Sequence, residues 1–89
     1  MFTPRILKNA SRQLKKLDPP VASRILDQIK WMGEHFEEIT PEALKGDLAG
    51  LFKYREGDYR IIYEPLQKDK VLIIHEIGHR SDIYKKAKP

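Results

Sequence analysis

Residues 50–63 are Gly-Leu-Phe-Lys-Tyr-Arg-Glu-Gly-Asp-Tyr-Arg-Ile-Ile-Tyr, and this stretch decides the fold. Two runs rich in aromatic and β-branched residues flank Gly57-Asp58, which is typical of a β-hairpin with a two-residue turn. Because successive side chains of a strand point to opposite faces, the aromatic residues share one face and the cations share the other. The hairpin therefore predicts a sheet with one apolar face and one cationic face.

The cations of this hairpin are predicted to converge. A turn at residues 57–58 places Arg55 directly opposite Arg60, with Lys53 on the same face. Like charges directly across a ladder repel each other and are normally avoided. One interpretation is a solvated strand face. The other is a binding surface for an anion, and the planar fork of arginine together with the point charge of lysine suits a phosphodiester.

Length and charge set the limits of the molecule. The chain has 89 residues, which predicts one domain over residues 1–89. Its 17 Lys and Arg outnumber 13 Asp and Glu, and this net charge of +4 favours a polyanionic partner. By segment the charge is +5 over residues 1–30 (7 − 2), −4 over residues 31–50 (1 − 5) and +3 over residues 51–89 (9 − 6). An acidic middle thus separates two basic blocks.

Composition also excludes several classes of chemistry. There is no cysteine, so disulfides, thiolate catalysis and cysteine-based metal sites are ruled out. The longest aliphatic run, Val71 to Ile74, is far too short to span a bilayer, and no signal peptide is evident. We therefore expect a cytoplasmic protein without a membrane partner.

The remaining elements follow from hydrophobic spacing. The sequence predicts an edge strand over 2–8, a helix from about 9 to 17, and a longer helix after Asp18, which is placed to cap it. Residues 37–47 form a predicted linker, and 70–77 are apolar enough for the central strand of the sheet. The predicted fold is α+β: an N-terminal edge strand, a two-helix hairpin, then a three-stranded antiparallel sheet, with both helices on one sheet face.

The C-terminal segment from Gly78 to Tyr84 leaves the last predicted strand and is expected to reach the rim of the cationic face with His79, Arg80 and Tyr84. A phenol has a reference pKa near 10, but neighbouring cations favour the phenolate and would make Tyr84 a usable base. The alternative is a tyrosine ring that packs on the core. His79 titrates near neutrality and is a candidate proton donor or acceptor.

No metal or small-molecule cofactor is predicted. His75 lies within an apolar strand and is interpreted as structural. Although His75 and His79 are four residues apart, that spacing aligns ligands on a helix, and no carboxylate pair completes a site. The sequence also lacks a glycine-rich phosphate loop and the nucleophile motifs of hydrolases.

These motifs together resemble the RelE/ParE superfamily of small toxins from bacterial and archaeal toxin–antitoxin pairs. The resemblance covers nearly the whole chain: residues 12–17 (Arg-Gln-Leu-Lys-Lys-Leu), residues 44–48 (Leu-Lys-Gly-Asp-Leu), the hairpin at 57–63, and residues 78–84. It implies a helical hairpin against a twisted antiparallel sheet. RelE-like members cut mRNA on the ribosome, whereas ParE-like members act on DNA gyrase.

For the RelE-like branch, the resemblance implies a metal-independent endoribonuclease, or mRNA interferase, that inhibits translation. Lys53 matches the second of two strand lysines of that family, Arg60 its hairpin arginine, Arg80 its late arginine and Tyr84 its near-terminal tyrosine. The first family lysine falls on Leu51, and Arg55 lies on the same face.

The candidate RNA-binding set is Lys53, Arg55, Arg60, Arg80, Lys85 and Lys86. The candidate catalytic set is Lys53, Arg55, Arg60, Arg80, Tyr84 and His79. The implied partners are a cognate antitoxin and ribosome-bound mRNA. Two alternatives remain: a gyrase inhibitor that cuts no bond, and a catalytically weakened module that binds an antitoxin.

Overall fold

The computed structural model describes residues 1–83. Residues 84–89 lie outside the described part, so the predictions for Tyr84, Lys85 and Lys86 fall beyond it. The described chain contains these elements in order: β1 (Thr3–Ile6), α1 (Lys8–Lys15), α2 (Pro19–Glu34), a 3₁₀ turn (Phe36–Glu38), β2 (Glu42–Ala43), a second 3₁₀ turn (Gly46–Leu48), β3 (Phe52–Glu56), β4 (Tyr59–Leu66) and β5 (Val71–His79).

The strands form one mixed sheet in the order β1-β5-β4-β3-β2. Strand β1 runs parallel to β5, and the other neighbours are antiparallel. The predicted α+β class, the N-terminal edge strand, the two helices and the three antiparallel strands are confirmed. Two details differ: β4 rather than β5 is the central strand, and the predicted linker over 37–47 contains β2 and two 3₁₀ turns.

The core lies between the two helices and one face of the sheet. Helix α2 contributes Ile25, Ile29 and Met32, all almost fully buried, at the helical spacing predicted from the sequence. Helix α1 contributes Ala10 and Leu14. The sheet contributes the buried apolar side chains of β4 and β5 that face the helices, namely Ile61, Tyr63, Leu72, Ile74 and Ile77.

The start of α2 differs from the prediction in one respect. Asp18 occupies the N-cap position, but its side chain makes no capping hydrogen bond. Pro19 and Pro20 fill the first two helical positions, where a missing N–H costs nothing because those groups have no partner within a helix. Within residues 1–83 we find no helix with the length and apolar character needed to cross a membrane.

The hairpin has the register that the sequence predicts. Arg55 pairs with Arg60, and Glu56 pairs with Tyr59 across the turn. Gly57 has φ 59°, the positive value that the first central position of a type II′ turn requires. The backbone twist of such a turn matches that of the flanking strands, so two turn residues suffice to fix the pairing along the whole hairpin.

Pro65 lies inside β4 although proline removes a ladder donor. Strand β3 begins at Phe52, which pairs with Tyr63, so β4 extends beyond β3 at this end. Pro65 pairs only with Leu72 of β5. The missing N–H therefore falls on a local edge, where it costs no sheet hydrogen bond.

Gly33 marks the place where α2 meets β1. Its carbonyl accepts a hydrogen bond from the Phe2 N–H at 2.8 Å, and a Cβ at this position would lie 2.5 Å from the Phe2 carbonyl oxygen and 3.0 Å from Pro4 Cγ. Since the obstructing atom belongs to backbone, Gly33→Ala must displace either β1 or the helix.

We expect Gly33→Ala to lower the free energy of unfolding by about 2 kcal/mol despite the better helix propensity of alanine. Chemical denaturation measures this change. Ser23→Ala is the matched control, because Ser23 is exposed on the same helix and should be neutral or slightly stabilising. A Gly33→Ala protein as stable as the parent would show that α2 and β1 lie far enough apart to admit a Cβ at this position.

Candidate active site

The cationic face is the sheet surface turned away from the helices, and it carries Lys53, Arg55 and Arg60. Tyr54 and Ile61 belong to or pack against the core, so strand alternation places their neighbours on the opposite side. The ladder sets Arg55 against Arg60 and Lys53 against Ile62. The structure thus brings the three predicted hairpin cations onto one surface.

Arg60 is held in place by the turn of the hairpin. Its Nη1 donates to the Gly57 carbonyl and to the Tyr59 carbonyl, both at 2.9 Å. An arginine has five N–H donors, so these two bonds leave Nε and Nη2 for a ligand. A guanidinium fixed in this way loses less side-chain entropy when it binds an anion.

Arg55 is paired with a carboxylate that the sequence did not predict. Its Nε lies 3.2 Å from Glu42 Oε2, and the two side chains are 58% and 42% exposed. A pair this exposed contributes little to stability. Its effect is to orient the Arg55 side chain along the edge of β3 while the other guanidinium nitrogens keep their donors.

Arg80 joins the same end of the sheet. Its N–H donates to the Asp58 carbonyl at 2.8 Å, and its Nε lies 3.8 Å from Asp58 Oδ1. Arg60 bonds the neighbouring residue, Gly57. The late arginine and the hairpin arginine are therefore both attached to the same two-residue turn.

His79 lies on the other side of the sheet. It pairs with Tyr59, contacts that ring edge-on at 5.6 Å, and borders a cleft beneath α1 together with Gln13 and Lys16. Its Nδ1 accepts the Ser81 N–H at 3.1 Å, so a neutral ring carries its proton on Nε2. The structure does not bring His79 together with the cations.

A β-bulge explains this placement. Ile62 pairs with Glu76 and Tyr63 with Ile74, so His75 is an extra residue in β5. One inserted residue reverses which face each later side chain occupies. Without the bulge, His79 would share the face of the cations. With the bulge, Gly78 lies on the face of the cations instead.

Gly78 is where the chain returns to the cationic face. It pairs with Arg60, and a Cβ on Gly78 would lie 3.1 Å from Ile83 Cδ1. Ile83 is fully buried but lies outside the core cluster beneath the helices, as does Ile62. A Cβ at this position would therefore press on the end of the Ile83 side chain, which packs over the strand at Gly78 and also borders the cleft beneath α1.

The tyrosines of the hairpin are poor proton acceptors. Tyr54 donates to Gln28 Oε1 at 2.8 Å, and burial together with Glu56 raises its pKa. Burial, Glu42 and Tyr54 raise the pKa of Tyr63 to about 12. Since both shifts disfavour the phenolate, neither side chain suits a general base.

The buried Tyr63 hydroxyl has no hydrogen-bond partner among the described residues. Removing an unsatisfied buried polar group relieves its desolvation cost, so we expect Tyr63→Phe to raise the free energy of unfolding by about 1 kcal/mol. A folded-state pKa of about 12 also means that the native protein retains a proton which the unfolded chain loses near 10.

Stability should therefore fall as pH rises from 10 towards 12 in the parent, and this contribution should be absent from Tyr63→Phe. Urea unfolding at neutral and alkaline pH measures both effects. Tyr59→Phe serves as the control for loss of a tyrosine hydroxyl at a partly buried site. A Tyr63→Phe protein less stable than the parent at neutral pH would contradict the structure, since the hydroxyl would then have a partner.

The other histidine of β5 has a structural setting. His75 Nε2 lies 2.9 Å from Glu64 Oε1, which joins β5 to β4 beside the bulge. Within the part of the chain that the structure describes, no group of three or more His, Asp or Glu side chains is arranged to hold a metal ion.

These features define a small α+β domain with a cationic sheet face, the architecture of toxins from toxin–antitoxin pairs. Residues 5–84 match the family model for the ParE toxin of the type II toxin–antitoxin system parDE, and the chain belongs to this family. The predicted membership of the RelE/ParE superfamily is confirmed.

Individual relatives agree with this assignment. Toxin RelG of Mycobacterium tuberculosis is 29% identical over 91 residues, which span 96% of this chain and 98% of the relative. The toxin–antitoxin complex RelBE2 of the same species contains a chain with TM-score 0.80 and 26% identity, covering 89% of this chain and 98% of that one. The isolated E. coli RelE toxin has TM-score 0.71 at 20% identity, covering 98% and 95%, and shows the shared fold.

Proposed function

We propose that this protein is a metal-independent endoribonuclease that cleaves mRNA on the ribosome. In the proposed reaction a ribose 2′-OH attacks the adjacent phosphorus, and the bond from phosphorus to the 5′ oxygen breaks. The 2′ proton passes to a base, and the 5′ oxygen takes up a proton as it leaves. The products are a 2′,3′-cyclic phosphate and a 5′-OH, and the chemistry needs no metal.

One observation carries this proposal: Arg60 and Arg80 are both bonded to the Gly57-Asp58 turn, and Ile83 packs against Gly78, the residue that pairs with Arg60. Tyr84 follows Ile83 directly in the sequence. The proposal therefore gives Tyr84 the role of general base, because cations close to a phenol lower its pKa.

The cations stabilise the charge that develops on the phosphorane. Lys53, Arg55 and Arg60 provide preorganised positive charge, which is the largest contribution in many acyl- and phosphoryl-transfer sites. Arg80 orients the phosphate and stabilises the leaving oxygen. Lys85 and Lys86 extend the basic surface for RNA. His79 is given no step, since it faces α1.

Leu51 limits the electrostatic strength of the site. It lies two residues before Lys53 and thus on the same side of the chain, where the family has a first lysine. The proposal assigns the missing charge to Arg55. A site with so few acid–base groups gains most from RNA already held in an in-line geometry, which supports dependence on the ribosome.

The relatives support an antitoxin partner as well. The RelBE2 complex and the archaeal RelE–RelB complex of Pyrococcus horikoshii each contain an antitoxin. We propose that a cognate antitoxin binds this chain in the cytoplasm and suppresses its activity. An acidic segment that folds on binding would suit the basic surface.

The test is cleavage of a defined mRNA by purified protein, with and without programmed ribosomes. We expect cuts in ribosome-bound mRNA that end in a 2′,3′-cyclic phosphate and a 5′-OH, and slow cutting of naked mRNA. Equal rates on free and bound mRNA would contradict ribosome dependence. No cutting of either would contradict the proposal itself.

A second candidate is inhibition of DNA gyrase, which the match to the ParE family model favours. In that case the basic surface binds protein or DNA and no RNA bond is cut. A supercoiling assay with purified gyrase separates the two candidates. If supercoiling is inhibited and mRNA stays intact, the protein is a gyrase inhibitor. If neither supercoiling, mRNA nor growth is affected, the protein is a weakened module that only binds its antitoxin.

Gly78→Val tests the role of the tail. The added side chain would displace Ile83 and with it the segment that carries Tyr84, so we expect cleavage to fall roughly 10²-fold. Ala43→Val is the control, because Ala43 is exposed on β2. Gly78→Val should unfold at a lower temperature than Ala43→Val, because the displaced Ile83 loses its burial, so cleavage is compared at a temperature where both variants are folded. Full cleavage by Gly78→Val would mean that the position of Ile83 does not matter to the reaction.

A further inference from the structure

A cavity of about 290 Å³ lies at the free edge of β3, beside the cationic face. Its walls include an indole, a phenol and an aliphatic side chain, contributed by Trp31, Tyr54 and Ile39. Its charged lining consists of Lys53, Arg55, Glu38 and Glu42, so the cavity and the cationic face share two cations, of which Arg55 is paired with Glu42. No step of the proposed cleavage uses this space.

The backbone of β3 is open here because β2 is short. The Leu44 N–H donates to the Leu51 carbonyl at 3.0 Å, which identifies the residues that bond across this edge. In an antiparallel ladder every second residue turns its backbone N–H and C=O towards the same neighbouring strand. Lys53 therefore bonds to Glu42, and the next N–H and C=O that face this edge belong to Arg55. Pairing ends at Glu42. The Arg55 N–H and C=O therefore point to the cavity.

The shape of the cavity favours a compact, flat ligand. Residues 38–40 line its far wall, where a further β-strand would have to run. An added peptide strand thus has no room to continue, whereas a planar ring can enter from the side of the cationic face. The Trp31 indole is itself stacked on His35, with ring centroids 4.9 Å apart, which holds it in place.

We propose that this cavity binds a purine base of the RNA whose phosphate lies on the cationic face. This inference rests on the proposed function. The Watson–Crick edge of a base has a donor next to an acceptor, as in N6–H and N1 of adenine or N1–H and O6 of guanine; pyrimidines share this pattern, so the preference for a purine rests on its larger ring. One strand residue offers the complementary pair, and here that residue is Arg55.

The surrounding residues complete the match. Trp31 and Tyr54 supply aromatic surface against which a base packs, and such contacts are tolerant of sequence but stronger for the larger purines. Lys53 and Arg55 supply positive charge for the phosphate attached to the same nucleotide. Because Arg55 would hold the base through its backbone, substitution of its side chain would weaken phosphate binding and leave base recognition in place.

Trp31 is the single tryptophan of the chain, so its fluorescence reports on this cavity directly. We would titrate the full-length protein with AMP, GMP, CMP, UMP and ribose 5-phosphate. We expect quenching by the purine nucleotides with half-saturation about tenfold below that of UMP, and none by ribose 5-phosphate. Equal quenching by ribose 5-phosphate, or none by any nucleotide, would overturn the proposal.

Thr40→Phe places a ring in the cavity from an exposed position, and Thr3→Phe makes the same exchange on β1 at the far edge of the sheet. Only Thr40→Phe should abolish quenching. If it instead leaves nucleotide quenching unchanged and weakens binding of the antitoxin, the cavity holds a protein side chain and the proposal is wrong. Mononucleotide binding requires no cleavage, so this result is independent of the outcome of the nuclease assay.

Discussion

Tyr84→Phe is expected to reduce cleavage of ribosome-bound mRNA by roughly 10²- to 10⁴-fold, the range that a positioned general base contributes. The exchange removes one hydroxyl and keeps the ring, so any packing of the ring survives. The fall should appear in the rate of the chemical step, measured in single-turnover reactions with saturating protein. Growth inhibition on expression should be lost in parallel.

Tyr59→Phe is the matched control. Tyr59 packs against the core on the helix side of the sheet, and loss of its hydroxyl should leave cleavage within about twofold of the parent. If Tyr84→Phe cleaves like the parent, Tyr84 is not the base. If it also remains toxic and gyrase is the process blocked, the second candidate function replaces the first.

Arg60→Ala is expected to slow cleavage by about 10²- to 10³-fold, because removal of one preorganised donor from a charge-stabilising site has an effect of that size. Arg60 is the cation that the structure fixes most firmly, through its two bonds to the Gly57 and Tyr59 carbonyls. Arg60→Lys should recover only part of the rate, since an ammonium keeps the charge and loses the planar fork.

Lys68→Ala is the control for loss of one positive charge. Lys68 is exposed in the turn after β4, at the opposite end of that strand from Arg60. Cleavage by Lys68→Ala should match the parent, and its dependence on salt should change little. Equal losses in Arg60→Ala and Lys68→Ala would indicate that net charge alone, rather than a built site, governs activity.

Much of the hairpin could be predicted from the sequence because its determinants are local. Gly57-Asp58 fixes a two-residue turn, the turn fixes the register, and the register places Lys53, Arg55 and Arg60 on one face. The long helix was equally predictable, since its apolar stripe repeats at helical spacing over 16 residues.

Other features depend on contacts between distant parts of the chain. The pairing of Arg55 with Glu42 requires β2 to lie beside β3, and a strand of two residues leaves almost no pattern in the sequence. The side of the sheet that His79 occupies depends on the bulge at His75. A bulge changes the alternation of a strand without changing its composition, so the face that His79 occupies could not be predicted from the sequence.

Two glycines mark close contacts that the sequence did not predict. Gly33 and Gly78 have no positive φ, so no turn requires them. Another segment packs closely against each of them: the backbone of β1 against Gly33, which excludes a Cβ, and the Ile83 side chain against Gly78, which would have to shift to admit one. A glycine inside an apolar helix or strand therefore indicates close approach, although the sequence does not name the segment that approaches.

The most direct measurement uses an mRNA with a single deoxyribose at a mapped cleavage site, placed in the ribosome beside its all-ribose counterpart. We predict that the all-ribose message is cut to a 2′,3′-cyclic phosphate and a 5′-OH, while the deoxy message survives because it lacks the 2′-OH that is the proposed nucleophile. Equal cleavage of the two messages would contradict attack by the 2′-OH and with it the mechanism proposed for this face.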